Sequence, residues 1–308
     1  MRYTTLFDSN YAPQGLALIA SMRRHCRPFK LSVLALTDEC YKLLFSLGLA
    51  AEDESCSITI HTLKDVMSDV SDTRPLAQMA VSMPWKHFCW AMNAVFCEYI
   101  LGVYRDSVLS LDADTFFYSS PAEMVDSLVG CSVAAPPHRF PPHLEHTVKE
   151  RGKYNVGGVY FAYGRMGMSM SEWWADRVCE RCDEKTCGDQ LYWNTIAEMA
   201  GDKFRELPIG FNMAPWMAQF RYGRMGDGQT WIHEPLTRAG LGSVPLIHYH
   251  FHEFSTTHHR RILYHSTETK RVFGLSNYHL RSDTLSLIYA PYTQEVERAM
   301  DSIEKVAT

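Results

Sequence analysis

The chain has 308 residues, 46% of them hydrophobic and 12% aromatic, enough for one large domain or two small ones sharing a core. Its net charge of -5 argues against a general affinity for nucleic acid or anionic membrane, because neither surface attracts a mildly acidic protein. There is no run of about 18 uncharged apolar residues, and Met1 to Asp8 lacks a basic stretch followed by an apolar one, so no transmembrane segment or signal peptide is expected and cytoplasmic residence is the default.

Arg2 to Phe7 alternates as a first strand and ends at Asp8-Ser9-Asn10-Tyr11-Ala12-Pro13, a small polar cluster that opens a helix with Leu16, Leu18, Ile19 and Met22 at helical spacing. Lys30 to Leu36 is continuously apolar and reads as a strand buried on both faces. Asp38 is expected to cap a helix through Leu47, and Ser57 to Ile60 makes a third strand. Alternating strands and helices imply a mostly parallel sheet with helices on both sides, whose ligands sit beyond the carboxyl ends of the strands. Asp72 to Met83 reads as a loop or broken helix, and Pro84 to Val103 as a long helix whose Trp85, Phe88, Trp90 and Phe96 belong to the core. Lys86, at its start, could face a phosphate, although a solvated lysine is the plainer alternative.

Val108 to Leu111 is an apolar strand that ends in Asp112-Ala113-Asp114 and resumes as Thr115-Phe116-Phe117-Tyr118. Two acids at i and i+2 on an extended backbone point the same way, so both can converge on one hard divalent cation such as Mn2+ or Mg2+. A surface turn with two solvated acids is the bland alternative, but carboxylates at the end of a buried strand are costly without a cation. Pro121 opens a helix to about Leu128, Ser132 to Ala135 is a short strand, and Pro136 to Pro142 is a rigid extended segment suited to lining a cleft. Gly157-Gly158 before an apolar strand suggests close approach of backbone to a ligand, or a bulge. Ser169 to Cys182 is an amphipathic helix, and Asp189 opens another, where an acid is most often an N-cap. Gly210 to Trp216 and Gly223 to Gly228 read as loops. Val244 to His252 reads as one strand with His248, His250 and His252 on one face, and three imidazoles there need partners, a metal among them. His258-His259-Arg260-Arg261 is a basic cluster, and the last helix, Thr293 to Val306, is expected to pack on the outside.

Nine cysteines is an odd count, and Cys26, Cys40, Cys56, Cys89, Cys97 and Cys131 lie in apolar segments, as buried reduced thiols would. Cys179, Cys182 and Cys187 could supply three zinc ligands, with His138 or a distant cysteine as the fourth.

Five stretches, each where a strand should end, together resemble the metal-dependent GT-A glycosyltransferases, specifically the family 8 and glycogenin-like nucleotide-sugar transferases. They are Phe7 to Tyr11, Ser110 to Asp114, Tyr154 to Gly158, Gly188 to Gln190 and His248 to His252. The resemblance implies a single GT-A domain over 1–308, a Rossmann-like, mostly parallel mixed sheet flanked by helices. Its nucleotide-binding half would be 1–120, and its donor-sugar and acceptor half, with the C-terminal helix, 121–308. It implies a UDP-sugar donor with Mn2+ or Mg2+, transfer with retention to an unidentified acceptor, Asp8 and Asn10 on the base and Tyr11 stacked on it. Asp112, Asp114 and His250 would hold the metal, with His252 the alternative to His250 and Asp112 also near the ribose. Asn155 and Gly157 would line the donor sugar, Asp189 would hold its hydroxyls and Gln190 would sit at the anomeric carbon. The glycine and lysine that usually follow the metal-binding histidine are replaced here by residues such as Glu253 and Thr256, and Lys86, His258, Arg260 or Arg261 could substitute at the diphosphate. The helix before the acidic strand offers no cation from Trp90 to Phe96, where the related enzymes carry an arginine. A nucleotidyltransferase, which would want a glycine-rich basic loop after the first strand, and a non-catalytic sugar-nucleotide or metal-binding protein are the alternatives.

Overall fold

The computed structural model describes residues 1–70, 74–226, 228–233, 242–257 and 260–307. His258 and His259 of the basic cluster, Asp72 and Thr73 of the expected loop, and Asp227 lie outside the described residues. In chain order the strands are β1 (Arg2–Phe7), β2 (Phe29–Ala35), β3 (Ala51–Glu52), β4 (Cys56–Thr62) and β5 (Val108–Leu111). They continue as β6 (Thr115–Phe117), β7 (Val133–Ala135), β8 (Gly158–Phe161), β9 (Phe204–Glu206) and β10 (Arg221–Arg224). The last are β11 (Thr230–His233), β12 (Val244–Pro245), β13 (His248–His250), β14 (Ile262–His265) and β15 (Val272–Ser276).

Eight of these form one sheet in the order β3-β4-β2-β1-β5-β8-β7-β9. β4, β2, β1 and β5 run parallel, while β8 is antiparallel to both β5 and β7. This mostly parallel mixed sheet with helices on both faces, in one domain, is the architecture expected from the sequence. Alternation along the strands splits the core. Leu34, Val108, Val133, Val159 and Phe161 face one side, packed under the helices Trp85–Tyr104 and Arg165–Glu180. Leu31, Val33, Leu109, Ala134 and Tyr160 face the other, under the helix Ala12–His25. Each fully buried Leu or Val contributes about 1.5–3 kcal/mol, so a one-residue slip of any central strand would be severely penalised.

A third apolar cluster lies beyond the sheet, where β6 pairs antiparallel with β13. The closing helix Ala290–Ala307 buries Tyr292 and Val296 in it, so the helix is part of the core rather than an outer cover. Arg24 pairs with Glu295 at 2.8 Å where this helix meets Ala12–His25.

Several local expectations shift by the rules of capping. Thr37, not Asp38, caps Asp38–Ser46, its hydroxyl accepting from the Cys40 N–H at 3.1 Å. The segment Leu76–Ser82 is helical. Phe88 and Phe96 are buried as expected, but Trp85 is 41% exposed. The expected strand Val244 to His252 is two short strands, β12 and β13, with His252 in the turn beyond. Among the described residues no helix is long and apolar enough to cross a membrane.

Candidate metal centre

The two acids do converge, by a route other than the extended backbone the spacing suggests. β5 ends at Leu111 and the chain turns through Asp112-Ala113-Asp114 before β6 begins. The Thr115 hydroxyl donates to the Asp112 carbonyl at 2.7 Å, and the Asp112 N–H reaches the Gly157 carbonyl at 3.3 Å. A turn, rather than alternation along a strand, aims both carboxylates. β13 then delivers the imidazole: His250 is opposite Thr115, and the Phe251 N–H donates to the Asp114 carbonyl at 2.8 Å.

The His250 Nε2 lies 3.4 Å from Asp114 Oδ1 and 3.7 Å from Asp112 Oδ2. One ligand atom from each of Asp112, Asp114 and His250 lies within 4.8 Å of the others, the one group of at least three potential His, Cys, Asp or Glu ligands so gathered among the described residues. His250 is buried, whereas the Asp112 side chain is 33% exposed, so the cluster opens to solvent on the Asp112 side. Burial raises the Asp112 carboxyl and the charge of Asp114 adds to this, with His250 opposing. Burial also works to raise Asp114, but the charge and hydrogen bond of His250 outweigh it and hold this carboxyl below its ordinary value. Burial disfavours charge on His250 in turn, and Asp114 overcomes that and raises it. Two acids are thus balanced by one imidazole, and the donor set fits a hard or borderline divalent cation.

His248 and His252 do not join the cluster. His248 is stacked on Phe211 at 4.6 Å and 13°, buried, with neither ring nitrogen partnered. His252 sits edge-on to His250 at 5.9 Å, against Trp216 and Tyr278, and burial followed by the charge of His250 lowers it to about 4.

The paired glycines make room for side chains of the protein itself. A Cβ on Gly157 would meet His250 Nδ1 at 2.5 Å, Asn212 Oδ1 at 2.6 Å and Asn155 Oδ1 at 2.9 Å; one on Gly158 would meet the Phe211 ring at 2.6 Å. Asn155 accepts from the Gly157 N–H at 2.9 Å and from Asn212 Nδ2 at 2.7 Å, and donates to Gln190 Oε1 at 2.9 Å.

Asp189 does not cap a helix, since the next one is Tyr192–Ala200. Its turn is set by Gly188 at φ +69°, pressed against the Trp90 ring, and by the Trp174 indole donating to the Asp189 carbonyl at 2.8 Å. The Asp189 carboxylate is 3% exposed and accepts from Asn93 Nδ2 at 3.1 Å, while Asn93 Oδ1 accepts from the Ser110 hydroxyl at 2.8 Å. Burial, with the charge of Asp112 added, pushes this carboxyl up to about 8. Asn93 escaped sequence reasoning, which searched Trp90 to Phe96 for a cation. The usable signal was an amide within an apolar helix, because a buried amide must find partners.

At the other end, Asp8 Oδ1 accepts from the N–H groups of Asn10 (2.9 Å) and Tyr11 (3.1 Å), and Oδ2 accepts from the Trp85 indole (2.9 Å). Trp85, assigned to the core from the sequence, thus braces Asp8 instead. Asn10 and Tyr11 are exposed. Lys86 is paired with Glu184 at 3.1 Å and lies 4.3 Å from the Trp90 ring centre. Arg260 donates through Nε to the Glu253 carbonyl, and the Arg261 N–H bonds Asn277 Oδ1 at 3.0 Å. Although Tyr11 is 47% exposed, its phenol feels the charges of Asp114, Asp112 and Asp8, with Arg260 opposing them.

The zinc alternative fails on placement. Cys179, Cys182 and Cys187 do not gather as a ligand set, Cys187 instead accepting from Arg151 and from Gln190 Nε2, each at 3.5 Å. His138 is stacked on Phe140. Cys26, Cys40, Cys56, Cys97 and Cys131 are buried thiols and Cys89 is half-buried.

No family model matches the chain. The uncharacterized protein YfnD of Bacillus subtilis (strain 168) is 24% identical over 98% of this chain and 90% of its own length. Among solved structures, the galactosyltransferase LgtC in complex with donor and acceptor sugar analogs aligns with 100% of this chain and 97% of its own, at 14% identity and a TM-score of 0.49. The apo form of mouse xyloside xylosyltransferase 1 aligns with 69% of this chain and 87% of its own, at 14% identity and a TM-score of 0.45.

Proposed function

We propose that the chain is a glycosyltransferase that moves a sugar from a nucleotide-sugar donor, a UDP-sugar, to an acceptor with retention at the anomeric carbon. The observation that carries this reading is the convergence of Asp112, Asp114 and His250 at the carboxyl end of the sheet, next to the buried Asp189. Those three side chains would hold Mn2+ or Mg2+, and the cation, when bound, supplies positive charge against the diphosphate leaving group.

The nucleotide is assigned to residues 1–120, with the base on Asp8 and Asn10 and stacked on Tyr11. The donor sugar and acceptor are assigned to 121–308. The sugar lies against the Asn155 to Gly157 turn, with Asp189 holding hydroxyls and Gln190 at the anomeric centre. As the glycosidic oxygen departs, carboxylate and amide oxygens face the positive charge that grows on the sugar. In that role Asp189 acts as a carboxylate, a form that burial first and the charge of Asp112 second disfavour in the cation-free protein; a cation held by Asp112 would offset the second of these. Lys86, paired at the surface with Glu184, and Arg260, which donates to the Glu253 carbonyl, are the side chains assigned to the remaining diphosphate charge.

The test is UDP-sugar hydrolysis by the purified protein with Mn2+, across several sugars. Turnover with at least one donor, abolished in Asp114→Ala, is expected. Binding of UDP and Mn2+ without turnover of any donor would leave a non-catalytic sugar-nucleotide protein. Failure of Mn2+ and UDP to raise the melting temperature would overturn every nucleotide reading.

A further inference from the structure

The hydrogen-bond chain from His250 to Gln190 is anchored at both ends by backbone groups whose roles are not open to choice. The Gly157 N–H can only donate, so the Asn155 atom it meets at 2.9 Å must be the carbonyl oxygen. That oxygen also takes Asn212 Nδ2 at 2.7 Å and faces His250 Nδ1 at 3.2 Å. Because an amide oxygen has no proton to give, His250 Nδ1 must carry one. At the far end the Arg151 carbonyl can only accept, so the Gln190 atom 2.7 Å from it is the amide nitrogen and its oxygen points back to Asn155 Nδ2 at 2.9 Å. The two assignments, made from opposite ends, agree.

We infer that Asn155 is a positioning residue that sets the two working groups of the site at once. On one side it fixes the protonated Nδ1 of His250 and so presents the Nε2 lone pair to the position between Asp112 and Asp114; on the other it orients the Gln190 carbonyl. The inference rests on the proposed metal-dependent transfer. Gly157 is part of the device, since any side chain there would collide with His250, Asn212 and Asn155 together. Every polar atom of the Asn155 side chain is engaged by the protein, so its effect on the reaction passes through His250 and Gln190.

Two substitutions separate the halves. Asn155→Asp keeps an acceptor for Gly157, Asn212 and His250 but has no N–H for Gln190; Asn155→Leu removes both functions. Mn2+ binding, followed by the spin-resonance signal of the free ion, should be undiminished in Asn155→Asp and about 10- to 100-fold weaker in Asn155→Leu. In Asn155→Asp, kcat for donor cleavage should fall while KM for the donor holds. Long-range proton–nitrogen spectra of the protein loaded with diamagnetic Cd2+, with the His250 signals identified by their loss in His250→Gln, should show the proton on Nδ1. An unprotonated Nδ1 in the parent protein overturns the inference whether or not the variants fold. Parent-like Mn2+ affinity in folded Asn155→Leu, or parent-like kcat in Asn155→Asp, overturns the positioning role alone. No Mn2+ or Cd2+ binding by the parent overturns the metal reading and this inference with it.

Discussion

Asp189 offers the sharpest quantitative test, because its carboxyl is 3% exposed and its charge is opposed from two directions. Burial comes first and the charge of Asp112 second, and together they carry the group from 3.8 to about 8, against the pull of the Asn93 amide. At about 1.4 kcal/mol per unit this is a differential of at most about 6 kcal/mol between the protonated and ionised folded states. The sign follows from linkage. A folded-state value above the unfolded one means the native protein binds the extra proton, so the stabilisation is fully present below about pH 4, is lost progressively as pH rises toward 8, and is then gone. Asp189→Asn keeps the shape, can still accept from Asn93 through its amide oxygen and cannot ionise. Urea unfolding of the cation-free protein and of Asp189→Asn at half-unit steps from pH 5 to pH 9 should therefore show two diverging curves. The variant gains several kcal/mol on the parent between the acid and the alkaline end, while donor cleavage is lost. Parallel curves, with a difference that does not change between pH 5 and pH 9, would refute the account of Asp189 as a buried acid held neutral by its surroundings.

Other perturbations probe different parts of the site and core. Mn2+ at 100 times its dissociation constant should add about 2.7 kcal/mol to the stability of the parent protein, about 5 °C in melting temperature, and nothing to Asp114→Ala, as read by scanning calorimetry. Trp85→Phe removes the indole donor from Asp8 Oδ2 while keeping the ring, and should weaken UDP by about 1 kcal/mol, roughly fivefold, in titration calorimetry. Arg74, 5% exposed, pairs with Glu98 at 2.6 Å and Asp176 at 2.8 Å. Arg74→Met should cost about 3 kcal/mol at pH 7 in urea unfolding. That cost should shrink as pH falls toward 4, because Glu98, already raised by burial, escapes its lost partner by taking a proton.

The sequence was most legible where one local rule sufficed. Continuous apolar strands such as β2 and β5, the turn at Asp8 to Tyr11 and the long helix after Pro84 follow from periodicity and breakers, and the parallel order follows from their alternation. The acid pair was also visible, because charge at the end of an apolar strand is an anomaly in one dimension. The reason for its convergence was not, since a turn held by the Thr115 hydroxyl depends on a partner strand far along the chain, where the register of β6 with β13 sets His250 opposite Thr115. Trp85 was misassigned for the same kind of reason: its composition says core, and only the fold puts it over Asp8.

The amides mark the deeper limit. Asn93, Asn155 and Asn212 lie on three separate segments, and none is unusual in its own surroundings beyond being polar among apolar neighbours. Their meaning is pairwise. Asn93 ties Asp189 to Ser110 on β5, and Asn155 with Asn212 ties His250 to Gln190. A carboxylate or imidazole advertises its chemistry singly because it can carry charge, whereas a neutral amide does so only through what it donates to and accepts from. Buried amides in a cleft of acids are costly unless each bond is made. They are therefore the residues whose replacement should disturb this site most while altering its net charge least.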